Sequence, residues 1–215
     1  MVTRTFQGAS ATERVADRRA RLVAAALDVV GDRGVRDFTM TAVCRAAGLT
    51  ERYFYESFAR REDLLEALFD SVAATALDHA VRAAEAVPAA HLEARARAAI
   101  GATTTLLGDD PRSARLYREA IGHPELAGRR QDTIAAFAAL LARLIAEAHP
   151  ELRREDLQLT TLVLTGGVVD AVGFWLDGRL DADVDALLTR CARLVVAAAD
   201  HHCAEVHGAE IREQR

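Results

Sequence analysis

The chain has 215 residues, of which 51% are hydrophobic and only 5% aromatic, with alanine and leucine prominent. That composition argues against a sheet protein, which would lean on β-branched and aromatic residues, and the length admits one small domain plus one larger one. The net charge of −5 divides unevenly: residues 1–62 carry 11 Arg against 8 acids, the remainder 16 Arg against 24 acids, and there is no lysine. A basic head on an acidic body fits a polyanion-binding module joined to a domain with another task.

In chain order, residues 1–11 lack periodicity and read as a mobile arm. Leu22, Ala26 and Val30, flanked by Ala25 and Val29, predict a helix from Thr12 to about Asp32, stopped by Gly34. A short helix is expected from Thr39, as cap, to Ala47, with Gly48 ending it. Thr50 caps a second short helix running to about Ser57. From Arg60 the sequence is unbroken until Pro88, with Glu62 and Asp63 placed to meet the positive end of a helix dipole. Prolines at 88, 111, 124 and 150 then punctuate helices expected at about 89–107, 111–120, 125–148, 152–177 and 183–206. The fold class is all-α. The apolar stretch Thr161–Leu176 is interrupted by Asp170 and three glycines, so it reads as a buried helix rather than a membrane span. Three widely spaced cysteines imply no disulfide framework, and the N-terminus lacks a signal-like apolar run, so a cytoplasmic setting is expected.

Residues 39–57 carry the functional signal. Helices of eight or nine residues are not stable alone and must pack on a scaffold, here the first and fourth helices. Val43, Ala47, Leu49 and Phe54 have the spacing of a small core, and the second short helix then turns Glu51, Arg52, Tyr53, Tyr55 and Glu56 outward. Such a helix fits the major groove with its N-terminal residues toward the base edges.

The segments LVAAALDVVGDRGV, FTMTAVCRAAGLT and YFYESFARREDLL together resemble the DNA-binding head of the TetR (tetracycline-repressor) family over residues 22–65. A Trp-Leu-x-Gly element at 175–178 is similar to one often seen late in that family. The resemblance implies a head at 12–60, and an effector-binding and dimerisation domain at 61–207. It implies a homodimer on a palindromic operator, most often acting as a repressor. By the same resemblance Thr39 and Thr50 cap their helices and touch phosphates, Tyr55 donates to a phosphate, and Arg61 stands at a phosphate-binding position. Thr41 and Arg45 in the first short helix join the candidate DNA contacts. Two positions depart from the family pattern. Arg52 and Tyr53 replace small residues, so Arg52 is expected to read a guanine and Tyr53 to pack on a thymine methyl. Arg60 replaces a capping serine, which removes a cap and offers a phosphate contact.

The candidate dimer contacts are Leu162, Gly166, Val169 and Gly173 in one late helix and Leu187 and Leu194 in the next. Small residues permit close helix approach and the aliphatic neighbours supply burial. The alternative for these residues is core within one chain. The resemblance further implies an effector cavity, with candidate residues Thr103, Leu106, Leu107, Tyr117, His123, Phe137, Leu141, Asp170 and Trp175. Thr104, Ile121 and Leu140 are further candidates. Few polar groups among them suit an apolar or aromatic effector, whose binding is expected to tilt the helix over 60–87. A rival reading is an enzyme with metal at His201, His202, Cys203 and His207, where Cys203 and His207 stand at i, i+4. No acid is arranged there as a base, and no phosphate loop or nucleophile–base set is found. Neither a cofactor nor a metal is therefore expected.

Overall fold

Runs of alanine and leucine broken by a few prolines and glycines dictate helix, and the computed structural model, which describes residues 11–213, has no strand among them. The helices are α1 (Ala11–Arg33), α2 (Met40–Ala47), α3 (Glu51–Tyr55), α4 (Arg61–Glu85), α5 (Leu92–Asp109), α6 (Pro111–Ala120), α7 (Ala127–Ala148), α8 (Gln158–Leu176) and α9 (Val184–Glu213). A 3-10 turn at Pro124–Leu126 leads into α7. The arm expected over residues 1–11 lies outside the described residues, apart from Ala11, which opens α1.

Three helix starts or ends differ from expectation by three residues or more, two of them for a local reason. Helix α5 begins at Leu92 because Pro88 starts a turn closed by the His91 N–H on the Pro88 carbonyl. Helix α8 begins at Gln158, six residues late, because 153–157 form turns in which Asp156 and Leu157 donate to the carbonyls of Arg153 and Arg154. Helix α9 continues to Glu213, through Gly208.

Three apolar cores hold the helices. The first joins Leu22, Ala26 and Val30 of α1 to Val43, Phe54, Leu64, Leu65, Leu116 and Leu126, so it runs without a break across the expected boundary at 60/61. The second packs Ala80 and Ala84 against Leu92, Leu144, Ile145, Ala192 and Val195, and the third gathers Leu107, Val172, Leu187 and Cys191. At the edge of the second core Arg95, 3% exposed, donates to the Ala84 carbonyl at 3.2 Å and pairs with Glu147 at 2.8 Å. The buried Arg95 thus ties the end of α4 to α5 and, through the exposed Glu147, to α7.

Helix α8 corrects an expectation. It is apolar and long enough to cross a membrane by length and composition, yet only 22% of that stretch is buried. It is not a core helix of one chain. Leu159, Leu162, Val163 and Phe174 are all exposed.

Polar contacts, as well as the shared core, fix α6 on α1. The Glu119 carboxylate accepts the Val35 N–H at 2.6 Å and the Arg115 Nε–H at 2.7 Å, and Arg115 also donates to the carbonyls of Gly31 and Asp32. Arg112 reaches Asp28. The orphan carbonyls at the end of α1 are thus satisfied from α6.

Among the described residues three glycines sit at left-handed backbone positions, Gly34 at φ 85°, Gly48 at φ 63° and Gly178 at φ 66°. A Cβ at Gly48 would meet only the end of Arg21 at 3.8 Å, whereas one at Gly34 would lie 2.7 Å from Arg115 Nη2 and 2.8 Å from the Glu119 carboxylate. Gly48→Ala should therefore cost the backbone penalty alone, about 1–2 kcal/mol. Gly34→Ala should cost more, because the ion pair must also move. Urea unfolding of both variants checks the order.

Candidate nucleic-acid interface and ligand cavity

Helices α2 and α3 are too short to persist alone, and their positions come from α1. Arg21 donates to the Ala47 carbonyl at 2.8 Å, Arg19 to the Ser57 carbonyl at 2.9 Å, and Arg18 to Glu56 at 3.0 Å. The Arg19 guanidinium lies over the Phe58 ring and that of Arg18 over the Tyr53 ring. These three arginines were not among the expected site residues; the Arg18-Arg19-x-Arg21 cluster was the available signal. They spend positive charge on holding α2 and α3.

The sequence reading of the short helices holds in its main features. Thr39 caps α2, its Oγ1 accepting the Ala42 N–H at 3.2 Å, and Gly48 closes it. Val43 and Phe54 are fully buried, with Ala47 and Leu49 packed beside them. Glu51, Arg52, Tyr53, Tyr55 and Glu56 are exposed, as are Thr39, Thr41, Arg45, Thr50 and Arg60. Arg52 is 84% exposed, and its guanidinium pairs with Glu56 at 3.5 Å.

Three details depart from it. Thr50 has the backbone of an N-cap but its side chain makes no capping bond, and the Tyr53 and Phe54 N–H groups go to its carbonyl instead. Arg60 does not leave α4 uncapped: Asp63 Oδ2 accepts the Arg60 N–H at 3.0 Å while Oδ1 takes its guanidinium at 2.8 Å. That contact holds the Asp63 carboxyl below its ordinary value. Arg61 turns away from the exposed face of α3. Its guanidinium donates to the Phe38 carbonyl at 3.2 Å and to Glu125 at 3.0 and 3.1 Å, so it links the head to the 3-10 turn of the body.

A cavity of about 130 Å³ lies between α4, α5, α6, α7 and α8, with Val195 of α9 in its wall. Of the expected residues, Thr103, Thr104, Leu107, Tyr117, Phe137, Leu140 and Leu141 line it. Leu106 does not, because Ile100, Thr103, Thr104 and Leu107 form the inward face and Leu106 falls beside it. His123 and Ile121 lie past the end of α6, outside the lining. Trp175 packs in the third core, its Nε1–H on the Ala182 carbonyl at 3.0 Å, and so pins the turn before α9. Asp170 is exposed and reaches the cavity only by pairing with Arg130, the one charged side chain in the lining.

The unexpected half of the wall is Phe69, Val72, Ala73 and Ala76 of α4, with Val168 and Val172 of α8. Their i, i+3, i+4, i+7 spacing was legible as an apolar face, but not which neighbour it would meet. The polar groups in the lining are largely satisfied by the protein. Thr103, Thr104 and Thr133 bond back to their own helices, and the Tyr117 hydroxyl donates to the Val169 carbonyl at 2.6 Å. Burial pushes the Tyr117 phenol far above its ordinary value.

The residues expected at a dimer contact separate. Leu162, 44% exposed, and Leu194, 58% exposed, face outward, and no atom lies within 4 Å of where a Gly166 Cβ would stand. Gly173 instead faces Tyr117 and Ile121 of its own chain, Leu187 is buried in the third core, and Val169 lines the cavity. These three are occupied within one chain. The four residues at the end of α9 do not form one cluster either: His202 bonds Thr160 at 2.9 Å, and the His207 ring bonds the Cys203 carbonyl at 2.8 Å.

A short helix with one face buried and an arginine turned to solvent, set on a larger helical body with an apolar cavity, has the arrangement of a helix-turn-helix head on a ligand-binding body. Residues 22–68 match the model of the bacterial regulatory proteins of the tetR family. The chain is 25% identical over 166 residues to the HTH-type transcriptional regulator BetI of Escherichia coli, covering 76% of this chain and 83% of that one. Its fold is similar to that of FadR from Bacillus subtilis in complex with stearoyl-CoA, with TM-score 0.67, 19% identity and coverage of 82% and 97%. It is also similar to the fatty acid degradation regulator FadR from Bacillus halodurans, with TM-score 0.65, 21% identity and coverage of 83% and 94%. The match to the tetR family thus covers the helical head, and over most of its length the chain is similar to transcriptional regulators.

The α6–α1 clamp should be acid-sensitive. Burial alone would raise the Glu119 carboxyl, but the Arg115 side chain and the Val35 N–H outweigh it and hold it below its ordinary 4.5. The stability it adds is present in full above the unfolded-state value and is lost as pH falls through the lower folded one. Urea midpoints measured at stepped pH below about 5 should fall less steeply for Glu119→Gln than for wild type. Equal slopes would mean that the clamp adds nothing.

Proposed function

We propose that this regulator binds a palindromic operator as a homodimer, represses transcription, and is released by a small apolar or aromatic effector. The observation that carries the DNA reading is the division of α3: Phe54 is wholly buried while Arg52, two residues after the cap, stands in solvent. Arg52 reads a guanine by a bidentate contact, Tyr53 packs on a thymine methyl, and Tyr55, Thr39, Thr41, Thr50, Arg45 and Arg60 hold phosphates. Arg61 takes no phosphate while it grips Glu125.

One short recognition helix reads too few bases, so two heads are required, roughly 34–36 Å apart. The exposed apolar side chains of α8 and α9, Leu162 and Leu194 among them, support pairing of these helices with their counterparts, and Gly166 lets the two copies approach. The cavity supports the effector reading. At about 130 Å³ it is near the ~150 Å³ of an apolar cavity known to take benzene, so a ligand of single-ring size fits without rearrangement.

Cavity walls on α4 and α6 supply the coupling. Phe69, Val72 and Ala73 lie on the helix that carries the head, and Leu116, Tyr117 and Ala120 lie on the helix that clamps α1. A ligand that fits one setting of these helices better than the other shifts their population and alters the spacing of the heads. A coupling of about 1–3 kcal/mol gives roughly 5–150-fold relief of repression.

Arg52→Ala should lose about 1–3 kcal/mol of binding at particular base pairs in gel-shift titrations across operator variants. Uniform weakening at every position would rule out base reading. Leu162→Glu and Leu194→Glu should convert the dimer to monomer in analytical ultracentrifugation while leaving helix content unchanged. A persistent dimer would place the interface elsewhere. Crosslinking the two heads at fixed spacing should abolish effector release, and retained release would sink the coupling by α4.

A further inference from the structure

Away from the cavity and from α3, one side-chain cluster has no part in the proposed regulation. Cys203, on α9, stands against the segment that links α7 to α8. Its Sγ lies 3.4 Å from His149 Nδ1 and 3.2 Å from Glu151 Oε1, and those two atoms are themselves 3.4 Å apart. Three different donor types therefore form a nearly equilateral triangle built from two elements 50 residues apart in sequence.

The size of that triangle is informative. Around a tetrahedral Zn²⁺, with bonds of about 2.3 Å to sulfur and 2.0–2.1 Å to nitrogen and oxygen, the ligand atoms stand roughly 3.3–3.6 Å apart. The observed edges fall within about 0.3 Å of those values, so a cation could enter with only small side-chain movements. Backing is firm, because Cys203 packs with Ala148 and Leu152 against the second core. The members remain partly open, His149 at 26% and Glu151 at 39% side-chain exposure with Cys203 half-buried, which gives an ion a path from solvent.

We propose that His149 Nδ1, Glu151 and Cys203 Sγ bind a thiophilic divalent cation of the zinc class, with water in the fourth position. Thiolate and imidazole select zinc-like ions over magnesium or calcium, which prefer oxygen. Three protein ligands and one open position suit reversible binding better than a closed four-ligand structural site. In the metal-free chain the Cys203 thiol donates to Glu151. On binding, that proton passes to solvent, the sulfur–metal bond forms, and no oxidant or reductant is needed. The cation would staple the α7–α8 link to α9. The histidines of the C-terminal run are not its ligands: both nitrogens of His202 are engaged, by Thr160 and Glu205, and His207 turns to the Cys203 carbonyl.

The test uses the full chain stripped with chelator and titrated with Co²⁺, then with Zn²⁺ in competition. Wild type should develop one equivalent of thiolate-to-cobalt charge-transfer absorption, lost on adding Zn²⁺, and Zn²⁺ should raise its Tm. Cys203→Ser should show no such band and no Tm rise, while its metal-free melting stays near wild type. His149→Ala and Glu151→Gln should weaken binding by at least about tenfold. Cys44→Ser, Cys191→Ser and His207→Ala should bind as wild type does. No band in the wild type, a band retained in Cys203→Ser, or loss of binding in His207→Ala would each overturn the assignment.

Discussion

Phe54 is the buried side chain of a helix only five residues long, and the presentation of α3 depends on its seat. A helix that short has too few internal hydrogen bonds to repay its nucleation cost, so its conformation is supplied from outside. Burying the Phe54 ring among Val43, Leu64 and their neighbours fixes the rotation of α3 about its axis, and that rotation turns Arg52, Tyr53 and Tyr55 outward. The arginines of α1 complete the support by bonding the carbonyls at the ends of α2 and of the turn after α3. Positive charge in the head thus has two uses. Arg18, Arg19 and Arg21 use theirs to build the scaffold, while that of Arg52 stands in solvent.

The head is not an independent bead on the body. Its core continues through Leu65, Leu116 and Leu126, and polar ties run across the same seam: Glu119 to Val35, Arg115 to the end of α1, and Arg61 to Glu125. Helix α6 touches both this seam and the cavity. Movement in the cavity wall therefore has a short, stiff route to the head, through packed side chains that do not compress. Arg61 illustrates the cost of such an arrangement, since a cation of the head is here used to join two parts of one chain.

Helix α8 shows how a helix can be apolar without being internal. It is hydrophobic on nearly every side, so its composition alone could not separate a core position from a surface that another molecule covers. Its neighbours settle part of the question: Val172 and Gly173 turn into the chain, whereas Leu159, Leu162 and Val163 do not.

Short-range chemistry made the helices, most of their ends and the two short helices of the head legible in the sequence. Thr39 and Gly48 mark α2 because a hydroxyl cap and a left-handed glycine act within a few residues, and Val43 with Phe54 marks a core by spacing alone. What the sequence could not fix was the partner of each apolar face. Leu106 and Trp175 look as suitable for a cavity as Leu107 and Phe137, and only the rotation of packed helices separates them. The α4 wall, the inward turn of Arg61, and the meeting of Cys203 with His149 and Glu151 likewise join residues on different elements, far apart in sequence. Such contacts are set by how whole helices pack, and no local pattern of residues encodes them.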